Sequence, residues 1–254
     1  MTNNSNTHPS STSDNMDYTS VCKLAATTDE HFSNFKRNKE YNKILEHVSP
    51  PQGEAYYRHI SSPDILKNFD KFKVNDIFGG PNLSVYDFGV FSPSTLRYVK
   101  VLDDLENFQL NDVNIVEIGA GYGGQYTVMR QMFKPKKYTF VDLPDTLNLI
   151  KKYVGLLKLD DIELEYLTYQ DLNAPIHSHL LISNYAISEC SKAVQDVYIN
   201  NIVHHAKHGY ITYNTLVVNE MIYSDVEFIS KLPFAVEKTD ETPSFFHKNV
   251  LIYW

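Results

Sequence analysis

Residues 116–125 read VEIGAGYGGQ, and this stretch decides the fold. The apolar run of Ile115, Val116 and Ile118 predicts a strand, and a helical pattern follows from Tyr126. Glycines between the two let the backbone turn sharply and let a ligand come into contact with it. The stretch therefore predicts a strand that runs through a ligand-binding loop into a helix.

Two acids accompany the glycine loop. Glu117 lies at the end of the predicted strand, and Asp142 closes the next apolar run, residues 138–141. The carboxyl ends of neighbouring parallel strands meet at one edge of a sheet, where ligands bind. Two carboxylates there suit a ligand with a cationic amino-acid head and a ribose tail, and S-adenosylmethionine is such a ligand.

A nicotinamide dinucleotide is the competing ligand. Gly119, Gly121 and Gly124 also satisfy the G-x-G-x-x-G fingerprint, and Asp142 follows at about the 20-residue spacing of a ribose-binding acid. The glycines alone do not decide between a methyltransferase and a dehydrogenase, and a tight turn without a ligand is the bland reading. Glu117 has no role in the dinucleotide motif, which favours methyl transfer.

Composition narrows the classes of function. The chain has 254 residues and a net charge of −8 without a block of basic residues, which disfavours a polynucleotide substrate. No apolar run is long enough to span a bilayer, and the N-terminus lacks the pattern of a signal peptide. Cys22 and Cys190 fit no metal spacing, so we expect a cytoplasmic protein without a metal site.

The chain divides into three predicted parts. Residues 1–17 are rich in Ser, Thr and Asn and predict a disordered tail. Residues 18–75 carry helical patterns, broken at Pro50-Pro51, and predict a helical cap. Residues 76–254 predict the catalytic domain.

Strands and helices alternate in the predicted catalytic domain. Helices are expected over residues 93–108, 124–133, 145–157 and 191–207, the last ending near Gly209. Strands are expected over residues 114–118, 138–142, 162–168, 179–184, 210–217 and 250–254, with further apolar residues at 234–237. This order predicts an α/β fold with a seven-stranded, mostly parallel sheet, helices on both faces and one reversed strand near the edge. It is the Rossmann-like architecture of class I methyltransferases.

The chain resembles the family of sugar O-methyltransferases, class I enzymes that use S-adenosylmethionine. The resemblance covers roughly residues 75–254 and rests on the segments Phe91–Tyr98, Val116–Gln125, Val141–Pro144 and Ile182–Glu189. It implies methyl transfer to a hydroxyl of a sugar or glycoconjugate. Another small-molecule methyltransferase, an NAD-dependent oxidoreductase and a noncatalytic cofactor-binding protein remain the alternatives.

The resemblance also implies residue roles. Cofactor contacts are expected from Glu117, Gly119, Gly121, Tyr122, Gly123, Gln125, Asp142, Leu143, Asp171 and Ser183. Asn184, Tyr185 and Glu189, after the fourth strand, are the catalytic candidates: Asn184 to orient a hydroxyl, Tyr185 to stack on a ring and Glu189 to accept the proton. Substrate contacts are expected from Tyr86, Asp87 and Arg97.

Each of these side chains has a plainer structural reading. Asp142 suits a helix cap and Asp171 a loop acid, while Glu189 suits the start of a helix. Arg97 suits a helix surface. His204, His205 and His208 are read as one solvated or half-buried helix face rather than a metal site. His59 and His247 are lone histidines, and each remains an alternative to Glu189 as the base.

Overall fold

The computed structural model describes residues 16–216, 220–245 and 249–254. The predicted tail lies outside these residues, except that the first helix already begins at Met16. Five helices form the predicted cap: α1 (Met16–Thr27), α2 (Asp29–Phe32), α3 (Lys39–Asn42), α4 (Pro50–Arg58) and α5 (Pro63–Lys67). Two 3-10 turns, Phe35–Arg37 and Phe69–Asp76, complete it.

The diproline that interrupts the cap pattern begins a helix. Pro50 is the first residue of α4, where its missing N–H costs nothing and its fixed φ suits the helix. Ser49 and Gln52 form a capping box there, in which the Gln52 side chain accepts a hydrogen bond of 2.8 Å from the Ser49 amide.

The remaining elements build the sheet domain. A hairpin that the sequence did not predict comes first, with β1 (Ser84–Tyr86) antiparallel to β2 (Gly89–Phe91). After it come α6 (Pro93–Leu105), β3 (Asn114–Ile118), α7 (Gly124–Met129), β4 (Lys137–Val141), α8 (Pro144–Leu156), β5 (Glu163–Leu167), β6 (Ser178–Asn184), α9 (Lys192–Asn201), β7 (Ala206–Tyr213), α10 (Asp225–Ser230), β8 (Glu237–Asp240) and β9 (Val250–Tyr253).

Seven of these strands form one sheet in the order β5-β4-β3-β6-β7-β9-β8. Strands β3 to β7 pair in parallel, and β9 pairs antiparallel with both β7 and β8. The single reversed strand therefore lies next to the edge. This confirms the predicted α/β, Rossmann-like fold with a seven-stranded, mostly parallel sheet.

Both faces of the sheet are buried. In β3, Ile115 packs in the core with the cap and α6 to α8, whereas Val116 and Ile118 pack on the opposite face with α9 and α10. Leu180 and Leu181 of β6 divide in the same way. Successive strand side chains point to opposite faces, so a parallel strand covered on both sides needs a continuous apolar run.

The predicted boundary between the last long helix and β7 was wrong. The helix α9 ends at Asn201, a 3-10 turn covers Val203–His205, and β7 starts at Ala206. Gly209 therefore lies inside a strand and ends no helix. A Cβ atom on Gly209 would lie 2.1 Å from the Trp254 ring, so the glycine makes room for the C-terminal tryptophan.

Candidate functional site

A cavity of about 960 Å³ opens at the carboxyl ends of β3, β4 and β6. Its wall also includes residues of the cap, of α6 and of the segment between β8 and β9. Ligands of open α/β sheets bind at this end of the strands, where the strand order reverses. The sheet order reverses between β3 and β6, so the cavity lies at the expected place.

The glycine loop forms the floor of the cavity. Gly119 and Gly121 have φ values of 76° and 58°, in the left-handed region that favours glycine. A Cβ on Gly119 would lie 2.0 Å from the Cβ of Ala186, and one on Gly121 would lie 2.7 Å from Leu45. Contacts within the chain therefore already require both glycines, alongside their predicted approach to a ligand.

Asp142 faces this loop from the end of β4. Its carboxylate accepts hydrogen bonds of 2.9 Å from the Gly121 amide and 2.7 Å from the Leu143 amide. Burial raises the pKa of Asp142 to about 6, although the two amides oppose this effect. Thr146 and the Ala120 amide also stabilise the ionised carboxylate, and Asp142 and Leu143 both line the cavity.

Glu117 is the second acid of the site. Its side chain is buried at 2% exposure, lines the cavity and accepts a hydrogen bond of 2.8 Å from the Tyr138 hydroxyl. Burial raises the pKa of Glu117 to about 8, against the opposing effect of the Tyr138 hydrogen bond. A cation bound here would favour the ionised carboxylate.

The three catalytic candidates also line the cavity. Asn184 ends β6, and its buried Oδ1 accepts no hydrogen bond from the described residues. Tyr185 has a φ of 68°, a strained conformation for a residue with a side chain, and Glu189 ends the 3-10 turn Ile187–Glu189. The Tyr185 hydroxyl donates to Glu241. Backbone strain of this kind is common at functional sites.

Four of the residues predicted to contact the cofactor do not line the cavity. The Tyr122 hydroxyl accepts a hydrogen bond of 2.9 Å from Asn75, and Gln125 donates one of 3.2 Å to the Tyr98 carbonyl. Gly123 precedes α7, and Ser183 is fully buried. These residues belong to the glycine loop, α7 and β6, but they lie outside the cavity lining.

Asp171 and the hairpin residues lie apart from the site. The exposed Asp171 accepts hydrogen bonds of 2.7 Å from the amide and hydroxyl of Thr168, so it closes a turn, whereas Thr168 itself lines the cavity. Tyr86 donates to the Pro50 carbonyl at 3.2 Å, and Asp87 lies in the turn between β1 and β2. Arg97, the third predicted substrate contact, does line the cavity.

Parts of the cavity wall come from far along the chain, and the sequence did not predict them. The cap supplies His47 and Tyr56 among others, and the segment after β8 supplies Glu241 and Asn249. Asn249 donates a hydrogen bond of 2.9 Å to the Glu241 carboxylate. No motif marks these residues, because only the tertiary fold brings them to the glycine loop.

The histidines are arranged differently from the prediction. His204 and His205 lie in a 3-10 turn and His208 lies in β7, so they do not share one helix. They lie near the amino end of β7, away from the cavity. His59 is exposed on the cap, and His247 lies outside the described residues. The described part of the chain contains no group of three or more side chains that could hold a metal ion.

No protein-family model matches this sequence, and no curated protein matches it. Similar solved structures include the pyocyanin biosynthetic protein PhzM, at 14% identity and a TM-score of 0.46 over 63% of this chain. The chain spans 56% of the length of PhzM. An S-adenosylmethionine-dependent methyltransferase from Aquifex aeolicus is similar at 15% identity and a TM-score of 0.45, covering 76% of this chain and 97% of that one.

A candidate RNA methyltransferase from Pyrococcus horikoshii is similar at 13% identity and a TM-score of 0.45, over 74% of this chain and 94% of that one. TM-scores and identities this low transfer no activity to the chain. Separately, none of the helices in residues 16–216, 220–245 and 249–254 has the length and apolar character needed to cross a bilayer.

Proposed function

We propose that the protein is an S-adenosylmethionine-dependent O-methyltransferase. The observation that carries the proposal is the pair of carboxylates, Glu117 and Asp142, which open onto one cavity on either side of the glycine loop. Asp142 suits two vicinal ribose hydroxyls, because a carboxylate offers two acceptor oxygens. Glu117 suits the cationic methionine end, because a positive charge offsets the cost of ionising a buried acid.

A nicotinamide dinucleotide fits this arrangement less well. It would bring its pyrophosphate against the glycine loop. Glu117 lines the same cavity as Gly119 and Gly121, and a phosphate placed there would keep this buried acid protonated, so Glu117 would gain no ion pair.

We further propose that the acceptor is a hydroxyl of a sugar or a related hydroxylated small molecule. Tyr56, Tyr185 and Asn184 combine ring faces with hydrogen-bonding groups at the cavity wall, which suits a hydroxylated ring. The net charge of −8 and the lack of a basic block continue to favour a small molecule over a polynucleotide.

The bound cofactor would supply an activated methyl group, and the residues of the chain would supply positioning and a proton acceptor. Asn184 would orient the acceptor hydroxyl through its side-chain amide at the cavity wall. Glu189 would take the proton as the oxygen–carbon bond forms and the carbon–sulfur bond breaks. Glu241, which also lines the cavity, would hold Tyr185 in place.

Calorimetry with S-adenosylhomocysteine and with NAD tests the proposed cofactor. We expect the wild type to bind the first and not the second. Asp142→Asn should weaken S-adenosylhomocysteine binding at least tenfold, or about 1.4 kcal/mol. The matched control is Asp161→Asn, which changes an exposed acid paired with Arg130 and Lys134 and should leave binding unchanged.

Three results would count against the proposal. Binding of NAD would favour an oxidoreductase, and equal binding by wild type and Asp142→Asn would remove Asp142 from the site. Cofactor binding without methyl transfer to any of a panel of sugars, nucleotide sugars and oligosaccharides would favour a noncatalytic binding protein.

A further inference from the structure

Arg97 places a buried cation at the wall of the cavity. The residue lies in α6 and is only 6% exposed. Its guanidinium donates a long hydrogen bond of 3.4 Å to the Leu45 carbonyl and also interacts with the Tyr98 side chain. It lies 5.3 Å and 5.8 Å from the ring centres of Tyr98 and Tyr185. No ion pair formed by the described residues includes Arg97.

Other buried cations of the chain are satisfied. Lys100 pairs with Asp104 at 2.6 Å. Lys36 donates to the Asn75 carbonyl at 2.7 Å and to the Tyr153 hydroxyl at 3.0 Å, and burial lowers its pKa to about 8. An arginine side chain stays protonated even when it is buried, so Arg97 keeps its full positive charge. A buried charge without a paired anion is costly.

The charge of Arg97 also reaches into the cavity. Burial, followed by the positive charge of Arg97, lowers the pKa of His47 to about 4. The positive charge of Arg97 also acts to lower the pKa of Glu46, and Glu241 lines the same cavity. Neither carboxylate lies within 4.0 Å of the guanidinium, the distance of an ion pair. The position opposite Arg97 therefore favours an anion that the chain itself does not supply.

We propose that Arg97 binds a carboxylate group of the ligand in this cavity. A guanidinium presents parallel N–H donors that match the two oxygens of a carboxylate. The flanking rings of Tyr98 and Tyr185 restrict the guanidinium, so little freedom is lost when the anion binds. The carboxylate belongs either to the methionine end of the cofactor or to an acidic acceptor such as a sugar acid, and in both cases this inference rests on the proposed function.

Two matched pairs of ligands distinguish these sources. The first pair is S-adenosylhomocysteine and its decarboxylated analogue. The second pair is glucuronate and glucose, titrated into protein saturated with S-adenosylhomocysteine. Calorimetry with wild type, Arg97→Gln and Arg97→Lys measures the preference for the acid in each pair. Arg58→Gln is the control, because Arg58 is exposed on α4 and pairs with Glu54.

We expect the wild type to prefer the acidic member of one pair at least tenfold, and Arg97→Gln to abolish that preference while binding the other member as before. A preference in the first pair assigns the carboxylate to the cofactor, and one in the second assigns it to the acceptor. Arg97→Lys keeps the charge but not the two-pronged geometry, so it should lose at least threefold of the preference. It also serves if Arg97→Gln does not fold.

The inference is overturned if the wild type shows no preference in either pair, or if both Arg97 variants keep the wild-type preference. Failure of the proposed function gives a different result. In that case the wild type does not bind S-adenosylhomocysteine at all, whatever residue occupies position 97.

Discussion

The carboxyl group of Glu117 is buried, so its ionisation is costly. The side chain is 2% exposed, and its hydrogen bond from Tyr138 only partly opposes the burial that raises its pKa to about 8. In the ligand-free protein at neutral pH the group is therefore mostly protonated. A positive charge nearby would favour the ionised form of Glu117. We expect a cationic ligand to supply that charge at this end of β3.

Glu117→Gln should change how stability depends on pH. Between the ordinary pKa of 4.5 and the folded pKa of about 8, the folded protein binds more protons at Glu117 than the unfolded chain. The contribution of Glu117 to stability therefore falls as pH rises through this window. The amide of the substituted glutamine would keep an acceptor for the Tyr138 hydroxyl without a charge. We expect the free energy of unfolding of the variant, relative to wild type, to rise by about 4 kcal/mol between pH 5 and pH 9.

Urea denaturation at several pH values measures this difference. Glu163→Gln, at an exposed position on β5 that pairs with Lys137, is the control and should follow the wild-type curve at all pH values. A constant difference between Glu117→Gln and wild type across this range would show that the carboxyl group is already ionised in the ligand-free protein.

Gly209 lets the residue that follows β9 pack against β7. The glycine lies in β7, where Trp254 exchanges backbone hydrogen bonds of 3.3 Å with it. The indole of Trp254 covers the glycine and donates a hydrogen bond of 3.2 Å to the Ala206 carbonyl. The attachment of the reversed strand β9 to β7 thus extends to Trp254, the residue after the strand.

Gly209→Ala should loosen this attachment. The new methyl group would lie 2.1 Å from the indole, so the ring must move, and overpacking of this kind costs about 2 kcal/mol. Trp254 is the one tryptophan of the chain, so its fluorescence should shift to longer wavelength as the ring meets water. Gly155→Ala is the matched control in α8, where a Cβ meets nothing within 4 Å. It should stabilise the protein by about 0.5–1 kcal/mol. Equal stability of the two variants would contradict the packing argument.

The elements that could be predicted from the sequence are those with a local signal. The run at 114–118 became β3 with the predicted bounds, because a buried parallel strand needs consecutive apolar residues. The local pattern gave the wrong prediction at Gly209, because the glycine there accommodates the ring of Trp254, which is distant in sequence. It also missed Glu241 and Tyr56, which reach the cavity through tertiary packing. Glu117 and Asp142 were predictable because Glu117 lies at the end of the apolar run of β3 and Asp142 directly follows β4.

At the scale of the whole molecule, the cap completes the cavity of the sheet domain. Helix α1 packs against α8, and α4 packs against α6. Tyr18 of α1 is 3% exposed and lines the cavity, and Leu45 lies over Gly121. The carboxylates come from the strands, while part of the enclosure comes from the cap, so burial of the site depends on both.

Truncation separates these contributions. Removal of residues 1–15, which precede α1, should leave S-adenosylhomocysteine affinity within about twofold of wild type, a change of only ~0.4 kcal/mol. Removal of residues 1–27 also removes α1, with Tyr18 from the cavity and Cys22 from its contact with Thr146 on α8. We expect this second truncation to lose affinity at least tenfold and to lower the free energy of unfolding by about 3 kcal/mol. Tyr18→Ala in the full chain isolates the cavity contact from the loss of the helix. If the shorter chain and Tyr18→Ala both bind like wild type, α1 is a neighbour of the site and not part of it, because its removal would then neither hydrate the carboxylates nor release the ligand.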